Sequence, residues 1–148
     1  MISWPHQEQM PLTCKKFNTI MKIEHIALNV KDPQAVSDWY EKNLGLTVVK
    51  KMDQAPYMTF LADDSGKVMV ELYQNAKAAV LDYAGLDPLM LHLAFVSEKP
   101  EEEKERLVAA GAKLVSDDTL EDGTRLLMLR DPWGLAIQFC KRAKPMLK

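Results

Sequence analysis

Two short segments of the chain follow the same pattern 67 residues apart: IEHIAL at residues 23–28 and MLHLAF at residues 90–95. In each segment apolar side chains alternate with other residues, and a histidine occupies the same place, His25 in the first and His92 in the second. Such alternation is typical of a β-strand with one buried face. The two segments therefore predict equivalent strands, within residues 21–30 and 89–96.

The same order of elements is predicted after each of these strands. In the first unit Asp32 and Pro33 suit the start of a helix and Gly45 suits its end. In the second unit Pro100 and Gly111 play these parts. Three further strands are predicted behind each helix, at residues 46–50, 57–62 and 67–73 and again at residues 113–116, 124–130 and 135–140. The chain is thus predicted to contain two βαβββ modules.

This repeat predicts the domain organisation. A length of 148 residues is enough for one domain with a substantial core. We expect an N-terminal arm at residues 1–20 and a single domain at residues 21–148. Within that domain, module one is predicted at 21–74, a linker at 75–88 and module two at 89–141. The alanines of the linker permit a short helix that Gly85 and Pro88 would end.

Composition argues against several classes of function. The formal net charge is −2, and no stripe of Lys and Arg with interleaved aromatics is present, so nucleic-acid binding has no electrostatic support. No apolar run approaches the roughly 20 residues of a membrane span. The first 20 residues do not resemble a signal peptide. With only Cys14 and Cys140, a disulfide framework is not expected, and a cytoplasmic location is predicted.

The repeat also aligns four potential metal ligands. It pairs His25 with His92 and Glu71 with Gln138, and each histidine precedes its partner by 46 residues. Strand alternation places all four on the less apolar face of their strands. Imidazole, carboxylate or amide groups facing a sheet interior cost several kcal/mol unless they are paired or bound. Four such ligands, with positions left for water or substrate, predict a catalytic rather than a structural divalent-metal site.

At these residues the chain resembles the vicinal oxygen chelate superfamily, which includes glyoxalase I, fosfomycin-resistance enzymes, extradiol dioxygenases and methylmalonyl-CoA epimerase. The resemblance runs from residue 21 to about residue 141. It rests on the two histidine strands, on WYEKNLGL at residues 39–46 and on DPWGLAIQ at residues 131–138. It implies an α+β fold in which two βαβββ modules form an incomplete eight-stranded mixed β-barrel with flanking helices. It also implies one metal ion and a homodimer.

Carried over by position, the metal ligands of the family fall on His25, Glu71, His92 and Gln138. Zn or Ni is the favoured ion, with Mn or Fe(II) as alternatives. Gln138 departs from the pattern, because glutamate is usual there in glyoxalase I and an amide cannot act as a general base. Glu71, the only carboxylate of the four, is therefore the predicted catalytic residue. The sequence leaves open whether the four residues meet within one chain or across a dimer.

Three activities are compatible with this set of residues. The first is the isomerisation of a hemithioacetal or 2-hydroxy-carbonyl compound, as in lactoylglutathione lyase. The second is an extradiol-type dioxygenase, because His25, His92 and Glu71 form a set of two histidines and one carboxylate. The third is a small-molecule-binding or resistance protein without catalysis. Substrate identity and dependence on a thiol cofactor are not encoded in any recognisable motif.

Two arginines and a cysteine are weaker candidates. Arg125 and Arg130 could hold an anionic substrate group, although a solvated strand end is the more common role of such residues. Cys140 is predicted to share the face of Gln138 and to serve in packing. The loops at residues 52–56 and 116–123 are expected to rim the pocket.

Overall fold

The two predicted modules form two separate four-stranded sheets, each with one helix packed on it. The computed structural model describes residues 21–146, so the predicted arm at residues 1–20 lies outside the described residues. The elements of module one are β1 (His25–Asn29), α1 (Pro33–Leu44), β2 (Thr47–Lys51), β3 (Thr59–Ala62) and β4 (Met69–Tyr73). Those of module two are β5 (His92–Val96), α2 (Pro100–Ala109), β6 (Lys113–Thr119), β7 (Arg125–Arg130) and β8 (Ala136–Lys141).

Both sheets have the same topology. The strand orders are β1-β4-β3-β2 and β5-β8-β7-β6, with one parallel pair in each sheet, β1 with β4 and β5 with β8. Ala27 lies opposite Glu71 and Ala94 lies opposite Gln138, so the parallel pairs repeat at the predicted spacing. The sheets are not closed into a barrel. The α+β fold of two βαβββ modules is confirmed.

Local signals set the helix bounds correctly. The side chain of Asp32 accepts a hydrogen bond from the backbone N–H of Ala35 at 2.9 Å and so caps α1. Gly45 ends this helix in the left-handed conformation, with φ of +70°. Pro100 begins α2, and Gly111, with φ of +98°, follows its end. Both predicted helices are thereby confirmed.

Two predicted features are wrong. The expected loop at residues 116–123 is shorter, because β6 continues to Thr119. Asp117 is unusual in a strand, but its carboxylate binds Lys104 and Arg125, which removes the cost of placing it there. The linker contains turns instead of a short helix. The side chain of Asn29 binds the linker backbone at Asn75 and Ala78, and these contacts replace helical hydrogen bonds.

One hydrophobic core joins the helix-facing sides of the two sheets. Its fully buried members come from strands of both modules and from the helices; they include Leu61, Leu72, Leu107, Leu127, Leu129 and Ile137. The hydroxyl of Tyr40 in α1 donates to the carboxylate of Asp131 in module two at 2.8 Å, and burial raises the pKa of Asp131. The indole N–H of Trp39 donates to the carbonyl of Ala110 at 2.9 Å. The modules thus meet through their helix sides, which directs the opposite faces away from the core.

The linker backbone closely approaches module two at Gly134. A Cβ atom at Gly134 would lie 2.6 Å from the Cβ of Ala84 and 2.7 Å from its Cα, and φ at this glycine is +95°. Gly123 has a similar φ of +86°, but a Cβ there would meet nothing within 4 Å. Comparing alanine substitutions at these two glycines therefore separates the free-energy cost of backbone strain from that of a steric clash.

We expect Gly123→Ala to lower the free energy of unfolding by about 1–2 kcal/mol, the cost of a left-handed non-glycine residue. Gly134→Ala should lower it by about 1–3 kcal/mol more, because the linker backbone must move. Urea unfolding of both variants measures the difference. Equal losses in the two variants would show that the linker does not press on Gly134.

Candidate metal centre

The register of sheet one places the predicted ligands of module one on a single face. In β4, Glu71 lies between Ala27 of β1 and Phe60 of β3, and paired residues of neighbouring strands point to the same side. His25 precedes Ala27 by two positions, so it shares that side. The apolar residues Leu28 and Leu72 alternate with this set and are buried beneath the helix. Packing of the apolar face therefore fixes the direction of His25 and Glu71.

His25 and Glu71 are in direct proximity on this face. The Nε2 atom of His25 lies 3.4 Å from Oε2 of Glu71, and the side chains are 35% and 13% exposed. Phe60 packs edge-on against the imidazole, with ring centroids 5.8 Å apart. The carboxylate of Glu71 is thus largely shielded from solvent. The carboxylate and the imidazole are therefore placed to bind one cation together.

The carboxylate of Glu24 contacts the other nitrogen of the His25 imidazole. Its Oε2 atom lies 2.6 Å from Nδ1 of His25. Because a carboxylate can only accept, Nδ1 must donate, and in the neutral ring Nε2 then carries a lone pair. A neutral ring thus directs its Nε2 lone pair toward Oε2 of Glu71. Nε2 and Oε2 are close enough to bind the same metal ion.

Module two repeats the orientation of the histidine. The Nδ1 atom of His92 lies 2.9 Å from the carbonyl oxygen of Pro88, which can only accept, so Nε2 is again the free nitrogen. Gln138 lies opposite Ala94 in β8, and its Oε1 atom accepts from the thiol of Cys140 at 3.2 Å. Cys140 is buried beside Gln138, on the predicted face of the strand. Metal-bound histidines commonly donate a hydrogen bond from their second ring nitrogen, as His92 does from Nδ1.

The described chain brings one pair of the predicted ligands into direct proximity, His25 and Glu71. Among residues 21–146, no three His, Cys, Asp or Glu side chains lie close enough to hold a metal ion. His25 and Glu71 form one pair on sheet one, while His92 and Gln138 belong to sheet two. The pair on sheet one still fits part of a metal site. Two ligands at about 2.1 Å from a tetrahedral Zn²⁺ lie about 3.4 Å apart, and the two donor atoms have this separation.

The two arginines considered as anion ligands are engaged elsewhere. The guanidinium of Arg125 binds Asp117 at 2.7 Å and also contacts Glu101. That of Arg130 donates to the carbonyl oxygens of Tyr83 and Leu86 and so holds the linker. Both arginines therefore have structural partners.

Sequence reasoning missed two neighbours of the ligands, Glu24 and Phe60. Glu24 directly precedes a candidate ligand histidine, and this proximity was the available signal. Phe60 reaches the site through its register with Glu71, which a single sequence does not reveal.

A cavity of about 320 Å³ opens at the carboxyl ends of β5 and β8. Its walls are mainly apolar, and Ala94 and Cys140 bring it onto the face that carries Gln138. Arg142 and Glu98 supply charged groups at its rim. The volume is at the lower end of the range of small-molecule sites.

The architecture and the sequence identify the family. The family model described as "Glyoxalase/Bleomycin resistance protein/Dioxygenase superfamily" matches residues 22–139. The chain belongs to this superfamily. The match spans both modules and all four predicted ligands, so the resemblance inferred from the motifs is confirmed at this level. The superfamily contains lyases, isomerases and dioxygenases as well as non-catalytic proteins.

Solved structures share the fold at low sequence identity. An integron cassette protein from the mobile metagenome of the Halifax Harbour sewage outfall is 24% identical, with a TM-score of 0.64 and coverage of 83% of this chain and 100% of its own. A lactoylglutathione lyase from Agrobacterium tumefaciens is 20% identical, with a TM-score of 0.61 and coverage of 82% and 93%. An antibiotic-binding protein from Streptomyces sp. CB03234 is 16% identical, with a TM-score of 0.63 and coverage of 81% and 94%.

The search among curated proteins found no match to the chain. Within residues 21–146, neither helix has the length and apolar character needed to cross a membrane.

Proposed function

We propose that the protein is a divalent-metal-dependent isomerase of the lactoylglutathione lyase type. The observation that carries the proposal is the 3.4 Å separation between Nε2 of His25 and Oε2 of Glu71, which matches the separation of two ligands of one tetrahedral metal ion. Zn or Ni suits a set of two imidazoles, one carboxylate and one amide oxygen. The proposed ligands are His25, Glu71, His92 and Gln138.

A second copy of the chain is proposed to complete the site. Each of β1 and β5 is one of the two edge strands of its sheet, and unpaired edges readily associate with another chain. Apolar side chains on these strands are open to solvent: Ile26 is 43% exposed and Val96 is 83% exposed. Pairing module one of one protomer with module two of its partner would bring each His25–Glu71 pair to a His92–Gln138 pair. Because the contact is two-fold symmetric, one dimer would contain two such sites.

Glu71 is the proposed carrier of the substrate proton. When bound, a divalent ion would polarise the substrate oxygens and make the adjacent C–H more acidic. Oε2 of Glu71 faces His25, which leaves Oε1 to take the proton from the hydroxyl-bearing carbon and return it to the neighbouring carbonyl carbon. The hydroxyl proton passes to the former carbonyl oxygen, so a hemithioacetal becomes a 2-hydroxy thioester without net oxidation. Phe60, the register partner of Glu71, packs against the ring of His25 beside this carboxylate.

Small-molecule binding without turnover is the second candidate function. The cavity at the ends of β5 and β8 supports it, because about 320 Å³ of mainly apolar space is a size that a compact ligand can fill. An antibiotic-binding protein among the solved structures has the same fold. A dioxygenase is ranked lower, because the last strand, which supplies the carboxylate in extradiol enzymes, holds Gln138 here. Metal content separates binding alone from the two enzymatic functions, and dioxygen uptake with a catechol identifies the dioxygenase.

Metal binding is the first test. After reconstitution with Zn, Ni, Mn or Fe(II), we expect a bound ion in the wild-type protein and an affinity more than about 100-fold lower in His25→Ala, since a lost ligand should cost more than a lost outer partner. Chelator competition measures the affinity. His6→Ala is the control, because His6 is the one histidine outside the proposed set. A wild-type protein without metal, or unchanged affinity in His25→Ala, would reject the proposed centre.

A further inference from the structure

A row of three side chains crosses sheet one from the proposed metal ligand to its outer edge. In register, Glu71 of β4 lies beside Phe60 of β3, and Phe60 lies beside Lys50 of β2. Paired residues point to the same side, so all three belong to the face that carries His25. With neighbouring strands about 4.8 Å apart, the backbone of Lys50 is about 10 Å from that of Glu71. The order across the face is a carboxylate, an aromatic ring and a cation.

Lys50 and Lys51 lie on opposite faces and have different surroundings. A register shift between Val48 and Lys50 marks a β-bulge, after which Lys50 pairs with Phe60 and Lys51 with Thr59. The ammonium group of Lys51 lies 3.4 Å from a carboxylate oxygen of Asp38 in α1. Lys50 is exposed, and among residues 21–146 no carboxylate lies within 4.0 Å of its ammonium group. Of these adjacent lysines, only Lys50 offers an uncommitted charge to the ligand-bearing face.

We propose that Lys50 binds an anionic group of the substrate, so that the substrate is an organic anion with two neighbouring oxygens at its other end. The inference rests on the proposed function, which places those oxygens beside His25 and Glu71. The part of the substrate between its two ends lies over the ring of Phe60, which provides an apolar surface between Glu71 and Lys50. A flexible lysine side chain spans the remaining distance and can follow anionic groups of different shapes.

Two metal-chelating probes isolate the contribution of Lys50. Benzohydroxamate and 4-carboxybenzohydroxamate present the same pair of neighbouring oxygens and the same ring, and only the second carries a carboxylate at the far end. Calorimetric titration of the Zn-loaded full chain measures both affinities. We expect the carboxylate to strengthen binding to the wild-type protein by about 1.5- to fivefold, the range of a solvent-exposed ion pair. The gain should shrink as salt is added.

Lys50→Gln and Lys51→Gln are matched variants, since they remove the same charge from opposite faces. We expect the gain from the carboxylate to disappear in Lys50→Gln and to persist in Lys51→Gln. If both probes bind the wild-type protein equally, or if the gain survives in Lys50→Gln, the inference is wrong while the metal centre stands. If neither probe binds the Zn-loaded protein, the proposed function and this inference both fail.

Discussion

Replacing Glu71 with glutamine is expected to lower isomerase turnover by about two to four orders of magnitude, the usual contribution of a general base. The two side chains have nearly the same shape, so Phe60 and His25 keep their neighbour. The amide oxygen can still bind a metal ion, as is proposed for Gln138. An amide cannot accept the substrate proton, however. Chemistry and metal binding should therefore separate in this variant.

The assay follows formation of the thioester from the hemithioacetal of methylglyoxal and glutathione, with the metal content measured on the same samples. Loss of turnover with metal retained supports the assignment of Glu71. Retained turnover would reject Glu71 as the base, and an inactive wild-type protein in its metal-loaded form would reject this lyase activity.

An exchange variant tests the pseudo-symmetry of the site. Glu71→Gln combined with Gln138→Glu moves the single carboxylate to the equivalent strand of the other module, β8 in place of β4. If the substrate proton can be taken from either side of the site, this double variant should recover part of the lost turnover. Recovery would show that the position of the carboxylate is interchangeable, and its absence would place the base strictly at Glu71.

Local signals in the sequence determine much of this fold. Asp32 and Gly45 bound α1 because capping and left-handed backbone are properties of a few neighbouring residues. Alternation correctly placed His25 and Glu71 on one face, since strand periodicity depends only on the order of residues. Asp117 shows where such signals fail, because its place in β6 depends on Lys104 and Arg125 from two other elements.

The relative placement of the two modules was beyond the reach of the sequence. It depends on contacts such as Tyr40 with Asp131 and Trp39 with Ala110, which join residues 91 and 71 positions apart. A repeat in the sequence shows that His25 and His92 occupy equivalent places, but equivalence does not bring them together. In the described chain each histidine stays on its own sheet. The pairing of modules across a dimer is therefore a separate hypothesis with its own test.

Heterodimers of His25→Ala and His92→Ala are expected to recover about half of the wild-type activity, although each variant alone is inactive. If each site combines module one of one protomer with module two of its partner, the heterodimer has one site with both substitutions and one site with neither. A site contained within one chain would carry one substitution in each protomer, and no activity would return. A site shared between protomers thus predicts about half of the wild-type activity in the heterodimer, and a site within one chain predicts none.

The heterodimer is obtained by coexpressing two differently tagged chains and purifying over both tags in sequence. A heterodimer of two differently tagged His25→Ala chains is the matched control, since it has the same tags and history but no intact site in either arrangement. Its activity sets the background. Recovery above this background requires that His25 and His92 of one site come from different chains, because no other combination in the mixed dimer restores both imidazoles. If the heterodimer is folded but no more active than the control, the site lies within a single chain. The two sheets of that chain would then have to move together to form it.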